Sequence, residues 1–224
     1  MSESRGYRRP LMMVIALLGA SLLSSSATAL SLVNIVSRKI HGSVGAFDLP
    51  VNPSGTFNSG LSIEPRAIGS GHLIVFTFDE AVTLPGTVTV FDALGAPIGN
   101  TAPPVVNVKE VSVNIADVPD RRSVKVTLTG VTAASGTINA TASLGFLMGS
   151  FSDASSVTAR DTSASKARSG QPIDVNSFRY DVNISGLVSA ADIATIKTRV
   201  GLTLVTGSLP MAWGRGGWDQ DVWQ

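Results

Sequence analysis

The chain has 224 residues, and its 17 basic and 16 acidic side chains give a formal net charge of +1. This balance, without a cluster of Lys and Arg in the body of the chain, gives no indication of nucleic-acid binding. The chain contains no cysteine, which excludes disulfides, thiol chemistry and the common cysteine-based zinc sites.

Residues 1–29 have the pattern of an export signal. Three arginines form a basic start, an apolar stretch follows at residues 11–23, and Ala-Thr-Ala at residues 27–29 is a typical cleavage site. The apolar stretch is shorter than the ~20 residues that a membrane-spanning helix needs, so an uncleaved anchor is the weaker alternative. We therefore expect a bacterial protein that is secreted or located in the cell envelope.

Residues 30–148 are expected to form one β-domain, because charged side chains are sparse there and Thr, Val, Gly and Ser are frequent. Apolar residues alternate with polar ones, as at Val124, Val126 and Leu128, which is the period of a half-buried strand. The segments expected to be strands are 34–40, 72–78, 87–91, 105–115, 123–128 and 137–144. Short strands separated by turn residues predict a β-sandwich of about seven strands, immunoglobulin-like in general shape.

Motifs for catalysis are missing from the sequence. It has no Gly-x-Ser-x-Gly elbow, no His-Glu-x-x-His and no glycine-rich phosphate loop. The two histidines, His41 and His72, are separated in sequence and are expected at strand ends with structural roles. Residues 30–149 contain no Trp and no Tyr, so the flat aromatic platform of many sugar-binding sandwiches is not indicated. We therefore expect a protein without enzymatic activity.

Residues 181–192 have the spacing of a calcium-binding loop. Such a loop needs oxygen ligands at positions 1, 3, 5, 9 and 12, a backbone carbonyl at position 7, and a glycine at position 6, here Gly186. The predicted ligands of one Ca²⁺ ion are Asp181, Asn183, Ser185, Leu187 through its carbonyl, Ser189 and Asp192. Because only two of them are carboxylates, we expect weak binding, roughly 10⁻⁴–10⁻³ M. The alternative is a turn-rich surface loop before an ordinary helix.

The same pattern occurs a second time upstream, which makes residues 150–170 and 181–201 two copies of an internal repeat. The matching pairs are Val157 and Val188, Ala159 and Ala190, Asp161 and Asp192, Lys166 and Lys197, Arg168 and Arg199, and Gly170 and Gly201. The first copy has Ser150, Ala154 and Ser155 at positions 1, 5 and 6, so we expect that its loop has lost calcium.

Paired loop–helix repeats of this form resemble the type I dockerin module, whose loops are similar to those of EF-hands. The residues that carry the resemblance are Asp181, Val182, Asn183, Ser185, Gly186, Val188, Asp192, Lys197, Arg199 and Gly201. Residues 35–42 and 45–48 are also similar to exported bacterial proteins that join a small β-domain to a terminal dockerin repeat. The fold class implied is multidomain: an all-β sandwich at 30–148 followed by a small α-helical dockerin-like pair of EF-hand-like loop–helix repeats at 149–205.

The resemblance implies an exported, non-catalytic protein whose calcium-dependent module docks onto a cohesin-like protein, with polysaccharide-degrading assemblies as one setting. In dockerins the partner contacts loop positions 10 and 11, which here are Ala190-Ala191 and Ala159-Arg160. Two alternatives stay open. One is a structural envelope or surface protein with a degenerate, metal-free repeat, and the other is a carbohydrate-binding or polysaccharide-catabolic component.

The last segment, residues 206–224, contains all three tryptophans, Trp213, Trp218 and Trp223, among several glycines. It lacks the period of a helix or a strand, and we expect it to be disordered. An aromatic tail that binds a partner or a surface is the alternative.

Overall fold

The structure is a computed structural model that describes residues 29–151 and 155–205. The predictions for the export signal and for the tryptophan-rich tail therefore lie outside the described residues, apart from Ala29. Within the described ranges, no helix is both long enough and apolar enough to cross a membrane.

Most of the described chain is β-structure. The strands are β1 (Leu32–His41), β2 (Gly45–Pro50), β3 (Ser62–Glu64), β4 (His72–Phe78), β5 (Val82–Leu84), β6 (Thr87–Asp92), β7 (Asn100–Thr101), β8 (Val105–Asn107), β9 (Glu110–Ala116), β10 (Arg122–Ala133) and β11 (Gly136–Phe146). Two helices follow, α1 (Ala159–Lys166) and α2 (Ala190–Lys197), with a 3₁₀ turn at Phe178–Tyr180 between them.

The strands form two sheets. One has the order β2-β1-β4-β9-β7, with β8 also paired to β9, and the other has the order β3-β11-β10-β5, with β6 also paired to β10. Neighbouring strands are antiparallel except β3, which runs parallel to β11. The two sheets are compatible with the sandwich expected for residues 30–148.

The core lies between the two sheets, where apolar side chains of both meet. Ile74 and Val113 of the first sheet and Val126 and Leu128 of the second belong to one buried cluster. The alternation that predicted a half-buried strand explains this arrangement in β9, where every second residue is buried. Strand β4, which coincides with the predicted segment 72–78, is buried along most of its length.

The prediction of one strand over residues 105–115 is wrong, because this segment is a hairpin of β8 and β9. Asn107 pairs with Glu110, and Val108 in the turn adopts φ +53°. A β-branched residue rarely adopts positive φ, and the turn contains no glycine. The apolar alternation changes phase across the turn, from Val106 and Val108 to Val111 and Val113, and only this break at Lys109-Glu110 marks the turn in the sequence.

The predicted fold class, in which a small α-helical pair forms a second domain, is also wrong. The described part of the chain is mainly β-structure, and helix is confined to α1 and α2, each of 8 residues. Isolated helices shorter than about 12 residues are marginal in water, so these two depend on contacts with the rest of the chain. The boundary expected between residues 148 and 149 stays a prediction.

The two copies of the sequence repeat contact each other through equivalent atoms. The amide of Gly201, which follows α2, donates to the carbonyl of Val157 at 2.8 Å. The amide of Gly170, which follows α1, donates to the carbonyl of Val188, also at 2.8 Å. Because Val157 and Val188 are matching repeat positions, these reciprocal bonds relate the copies by an approximate two-fold. We call the described residues of this paired repeat, 155–205, the cap.

Candidate functional site

The predicted calcium loop lies between the 3₁₀ turn and α2, and its ligand positions differ in exposure. Asp181 and Asp192 are fully buried, with 0% of each side chain accessible to solvent. Asn183, Ser185 and Leu187 are exposed at the surface of the loop. The loop therefore presents its middle to solvent and holds its two carboxylates inside the protein.

Three of the six predicted ligand oxygens come together. The hydroxyl of Ser185 is 3.3 Å from Oδ1 of Asp181 and 3.2 Å from the carbonyl oxygen of Leu187. The side chain of Asn183 turns to the backbone instead, where its Oδ1 accepts from the amide of Ser185 at 3.1 Å. Positions 1, 5 and 7 thus converge, as the loop spacing predicts.

The last two ligand positions form the start of α2. Oδ2 of Asp192 accepts from the amide and the hydroxyl of Ser189 at 2.8 and 2.9 Å. Its Oδ1 accepts from the amide of Asn183 at 3.2 Å. Ser189 and Asp192 are therefore a capping box, which satisfies amide groups at the helix start.

The matching aspartate of the first copy has the same role. Oδ2 of Asp161 accepts from the amide and the hydroxyl of Thr158 at 2.7 and 2.8 Å, and its Oδ1 accepts from the amide of Phe151 at 3.0 Å. Since the first loop also lacks an aspartate at position 1, helix capping alone accounts for the repeated aspartate. The sequence pattern does not distinguish this role from metal binding.

The described residues fit a calcium ion only in part. Calcium takes 6–8 oxygen ligands, and charge from carboxylates sets its affinity. Asp181, Ser185 and the Leu187 carbonyl form half of such a set, whereas Asp192 would have to give up bonds to its capping partners to join them. In the described ranges, no group of three or more His, Cys, Asp or Glu side chains could hold a metal ion.

Asp181 also contacts the β-sandwich directly. Its Oδ2 lies 2.8 Å from Nδ1 of His41, the last residue of β1, and both side chains are completely buried. Burial alone would raise the pKa of Asp181, but hydrogen bonds from His41 and from the amides of Gly186 and Ser185 outweigh it and hold this pKa below its usual value. The first residue of the predicted calcium loop is thus fixed to the sandwich as a buried carboxylate.

The contact continues into a chain of buried polar groups. Nε2 of His41 is 3.3 Å from Nη1 of Arg66, whose guanidinium bonds Glu64 at 2.7 and 2.8 Å. The hydroxyl of Ser37 donates to the same carboxylate. We call Ser37, His41, Glu64, Arg66 and Asp181 the polar cluster. Because a guanidinium only donates, Nε2 of His41 accepts from Arg66, and Nδ1 of His41 donates to Asp181.

Charge pairing keeps Glu64 ionised in this dry environment. Burial would raise its pKa, but the charge and hydrogen bonds of Arg66 lower the pKa of Glu64 to about 2. Lys39 lies nearby and donates to the carbonyls of Ile68 and Gly71, both at 2.6 Å. Burial lowers the pKa of Lys39 to about 8, an effect that Glu64 partly offsets.

Two aromatic rings cover the polar cluster. Phe47 of β2 and Phe178 of the 3₁₀ turn are stacked with their centroids 5.4 Å apart. The guanidinium of Arg66 lies 5.1 Å from the centroid of Phe178, a cation–π contact. Phe47 belongs to the sandwich and Phe178 to the cap, so the two rings shield the polar cluster from water only while the sandwich and the cap are in contact.

The backbone on either side of Asp181 is tied to the sandwich as well. The amide of Ala67 donates to the carbonyl of Val182 at 2.7 Å, and the amide of Gly42 donates to the carbonyl of Ile184 at 2.9 Å. Gly42 has φ +50°, and a Cβ there would overlap the carbonyl oxygen of Ser185. Glycine is therefore required at this position for two separate reasons.

Most of the polar cluster was not predicted from the sequence. His41 was expected to have a structural role at a strand end but was not connected with Asp181, and Arg66 was not singled out. The only local signal was the Glu64-Pro65-Arg66 segment, which places opposite charges two residues apart, and the same spacing occurs at Asp120 and Arg122. The other histidine, His72, stacks on Phe146 with centroids 4.0 Å apart and lies close enough to Glu64 and Arg66 for their charges to act on its pKa.

Comparison with known proteins assigns no family. Neither a protein-family model nor a curated protein matches this chain. The resemblance to dockerin repeats therefore rests on the sequence pattern and stays a prediction, and function has to be inferred from the geometry of the site.

Proposed function

We propose that this chain is an exported, non-catalytic structural protein in which the cap is a fixed part of the β-sandwich. The observation that carries this proposal is the buried contact between Asp181 of the cap and His41 of the sandwich. A carboxylate with no exposed surface is stable only while its partners are in place. Separation of cap and sandwich would break this contact and expose the pair formed by Arg66 and Glu64.

Apolar packing supports the same proposal. One buried cluster joins Ile63 and Leu147 of the sandwich side to Val157, Val182 and Ile196 of the cap. A second cluster joins Leu49 of β2 to residues of the connector and of the second loop, namely Ile173, Phe178 and Val188. Completely buried aliphatic side chains contribute roughly 1.5–3 kcal/mol each, so these contacts are too favourable for a freely hinged module.

Hydrogen exchange on the full-length protein tests this proposal. If the cap is a fixed part, the amides of Ile196 in α2 and Val113 in β9 should open with the same free energy, because both depend on one cooperative unit. Gly42→Ala should lower protection of both amides together. Gly95→Ala is the matched control, since Gly95 also has positive φ, +79°, but no atom lies within 4 Å of its added Cβ.

Opening of the cap at a much lower free energy than the sandwich would contradict the proposal. The same holds if Gly42→Ala lowers protection in residues 155–205 alone. If Gly42→Ala loses no more protection than Gly95→Ala, backbone strain accounts for the effect, and the contact of Gly42 with the loop at Ser185 does not.

A second candidate is calcium-assisted docking onto a cohesin-like partner, and one observation favours it. The oxygens of Asp181, Ser185 and Leu187 converge, and Ala190 and Ala191 at the start of α2 are exposed. In this function Asp181, Ser185, the Leu187 carbonyl and Asp192 would hold the ion. Calcium would then set the conformation of the exposed loop next to the docking residues.

Calorimetric titration of the full-length protein with calcium chloride tests the second candidate. We expect one weak site, roughly 10⁻⁴–10⁻³ M, because the set contains two carboxylates. Ser185→Ala should weaken binding at least threefold, whereas Ser163→Ala, an exposed serine of α1, should leave it unchanged. Two tight sites, or no heat of binding at about 10 mM calcium, above the upper end of this affinity range, would rule out this form of the function.

A further inference from the structure

A groove of about 520 Å³ lies between a surface loop of the sandwich and the cap. The loop, residues 52–62, supplies Phe57 and Asn58 to the lining, β10 supplies Ser123, and the cap supplies Ser155 and Leu204. Among the residues that the structure describes, no charged side chain lines the groove. Its volume lies within the range of small-molecule sites, about 300–1,000 Å³.

Several polar side chains of the lining are uncommitted. The amide of Asn58 and the hydroxyls of Ser123 and Ser155 make no hydrogen bond to any other part of the chain that the structure describes. Ser123 is nearly buried, with 3% of its surface exposed. Asn58 and Ser155 are exposed, and Ser123 lines the groove, so all three groups are open to hydrogen bonds from a ligand that lies in it.

The loop that forms one wall is held in shape by its own contacts. Asn52 donates from Nδ2 to the carbonyl of Gly60 at 3.0 Å, and its Oδ1 accepts from the amide of Ser54 at 3.0 Å. Gly55 packs so closely that an added Cβ would lie 2.6 Å from the carbonyl oxygen of Gly60. The wall is therefore preorganised, which lowers the entropic cost of binding.

We propose that this groove binds an uncharged oligosaccharide. Amide and hydroxyl groups both donate and accept, as the hydroxyls of a sugar do, and the described part of the lining offers no charge for an anionic or cationic ligand. The ring of Phe57 and the side chain of Leu204 supply apolar surface for the C–H faces of the sugar. Lys125 contacts this ring from outside the lining, with Nζ 6.0 Å from the centroid.

This site differs from the flat aromatic platform that the sequence does not indicate. It is a groove with a single aromatic ring, and its residues come from three separate parts of the chain. The second wall belongs to the cap, which gives the cap a role in ligand binding in addition to its role in stability.

Titration of the full-length protein with cellohexaose, maltohexaose and xylohexaose, followed by amide chemical shifts, tests the proposal. We expect at least one of these sugars to shift the resonances of Asn58 and Ser123. Phe57→Ala and Asn58→Ala should each weaken binding at least tenfold, and Phe57→Tyr should retain it. Asn107→Ala is the matched control, because Asn107 is an exposed asparagine of β8 outside the groove.

Shifts confined to residues outside the groove, or equal affinity in Asn58→Ala and Asn107→Ala, would overturn the proposal. The absence of chemical-shift changes with all three sugars at about 10 mM would also overturn it, because this concentration is far above the dissociation constant expected of a preorganised site. Thermal unfolding of each variant shows whether a loss of sugar binding is due to misfolding. If Phe57→Ala does not fold, Phe57→Tyr and Asn58→Ala still test the proposal.

Discussion

Arg66→Met is expected to lower the free energy of unfolding by about 3–5 kcal/mol, because it leaves the carboxylate of Glu64 buried without its partner. Arg66 is 1% exposed, and its guanidinium contacts Glu64, His41 and two backbone carbonyls. Methionine keeps much of the side-chain volume, so the decrease in the free energy of unfolding reports on the lost charge and hydrogen bonds. Urea unfolding followed by far-UV circular dichroism measures it.

Arg38→Met is the matched control for this prediction. Arg38 pairs with Asp48 and Glu110, but about a third of each side chain is exposed, and exposed ion pairs contribute only about 0–1 kcal/mol. The double variant Glu64→Gln with Arg66→Met should regain a large part of the loss, since it removes both charges. An Arg66→Met effect as small as that of Arg38→Met would show that the polar cluster does not stabilise the fold.

Acid should destabilise the protein well above the pH at which its carboxylates titrate. Burial lowers the pKa of His72 from 6.5 to about 3, assisted by the nearby charge of Lys39. Below pH 6.5 the unfolded chain takes up a proton that folded His72 does not, so stability falls as the pH falls. Between pH 6.5 and pH 4.5 the expected loss is about 2 kcal/mol.

His72→Phe should remove this part of the pH dependence while keeping the stacking on Phe146. Glu64 contributes in a lower window, because its stability is present above pH 4.5 and is lost as the pH falls towards its folded pKa of about 2. Glu64→Gln should therefore keep the slope above pH 4.5 and reduce the slope below it. A wild-type stability that is constant between pH 7 and 4.5 would contradict the assignment to His72.

Local patterns in the sequence determined the features that depend on neighbouring residues. The nearly continuous apolar run at residues 73–78 coincides with β4, and the sequence shows the repeat whose copies bond through Val157 and Val188. The predicted calcium loop stays a prediction, although the hydroxyl of Ser185 lies near Oδ1 of Asp181 and the carbonyl oxygen of Leu187. In each case the periodicity of a strand or the geometry of a turn is set within about ten residues.

Tertiary structure alone decided how these features are used. His41 and Asp181 are separated by 140 residues, and no local pattern pairs them. The turn at Val108 forms because β8 and β9 pair across it, although its own residues disfavour positive φ. The expected helical domain was wrong for the same physical reason: helices of two turns cannot bury an apolar face alone, so the sandwich that covers them determines the fold of this region.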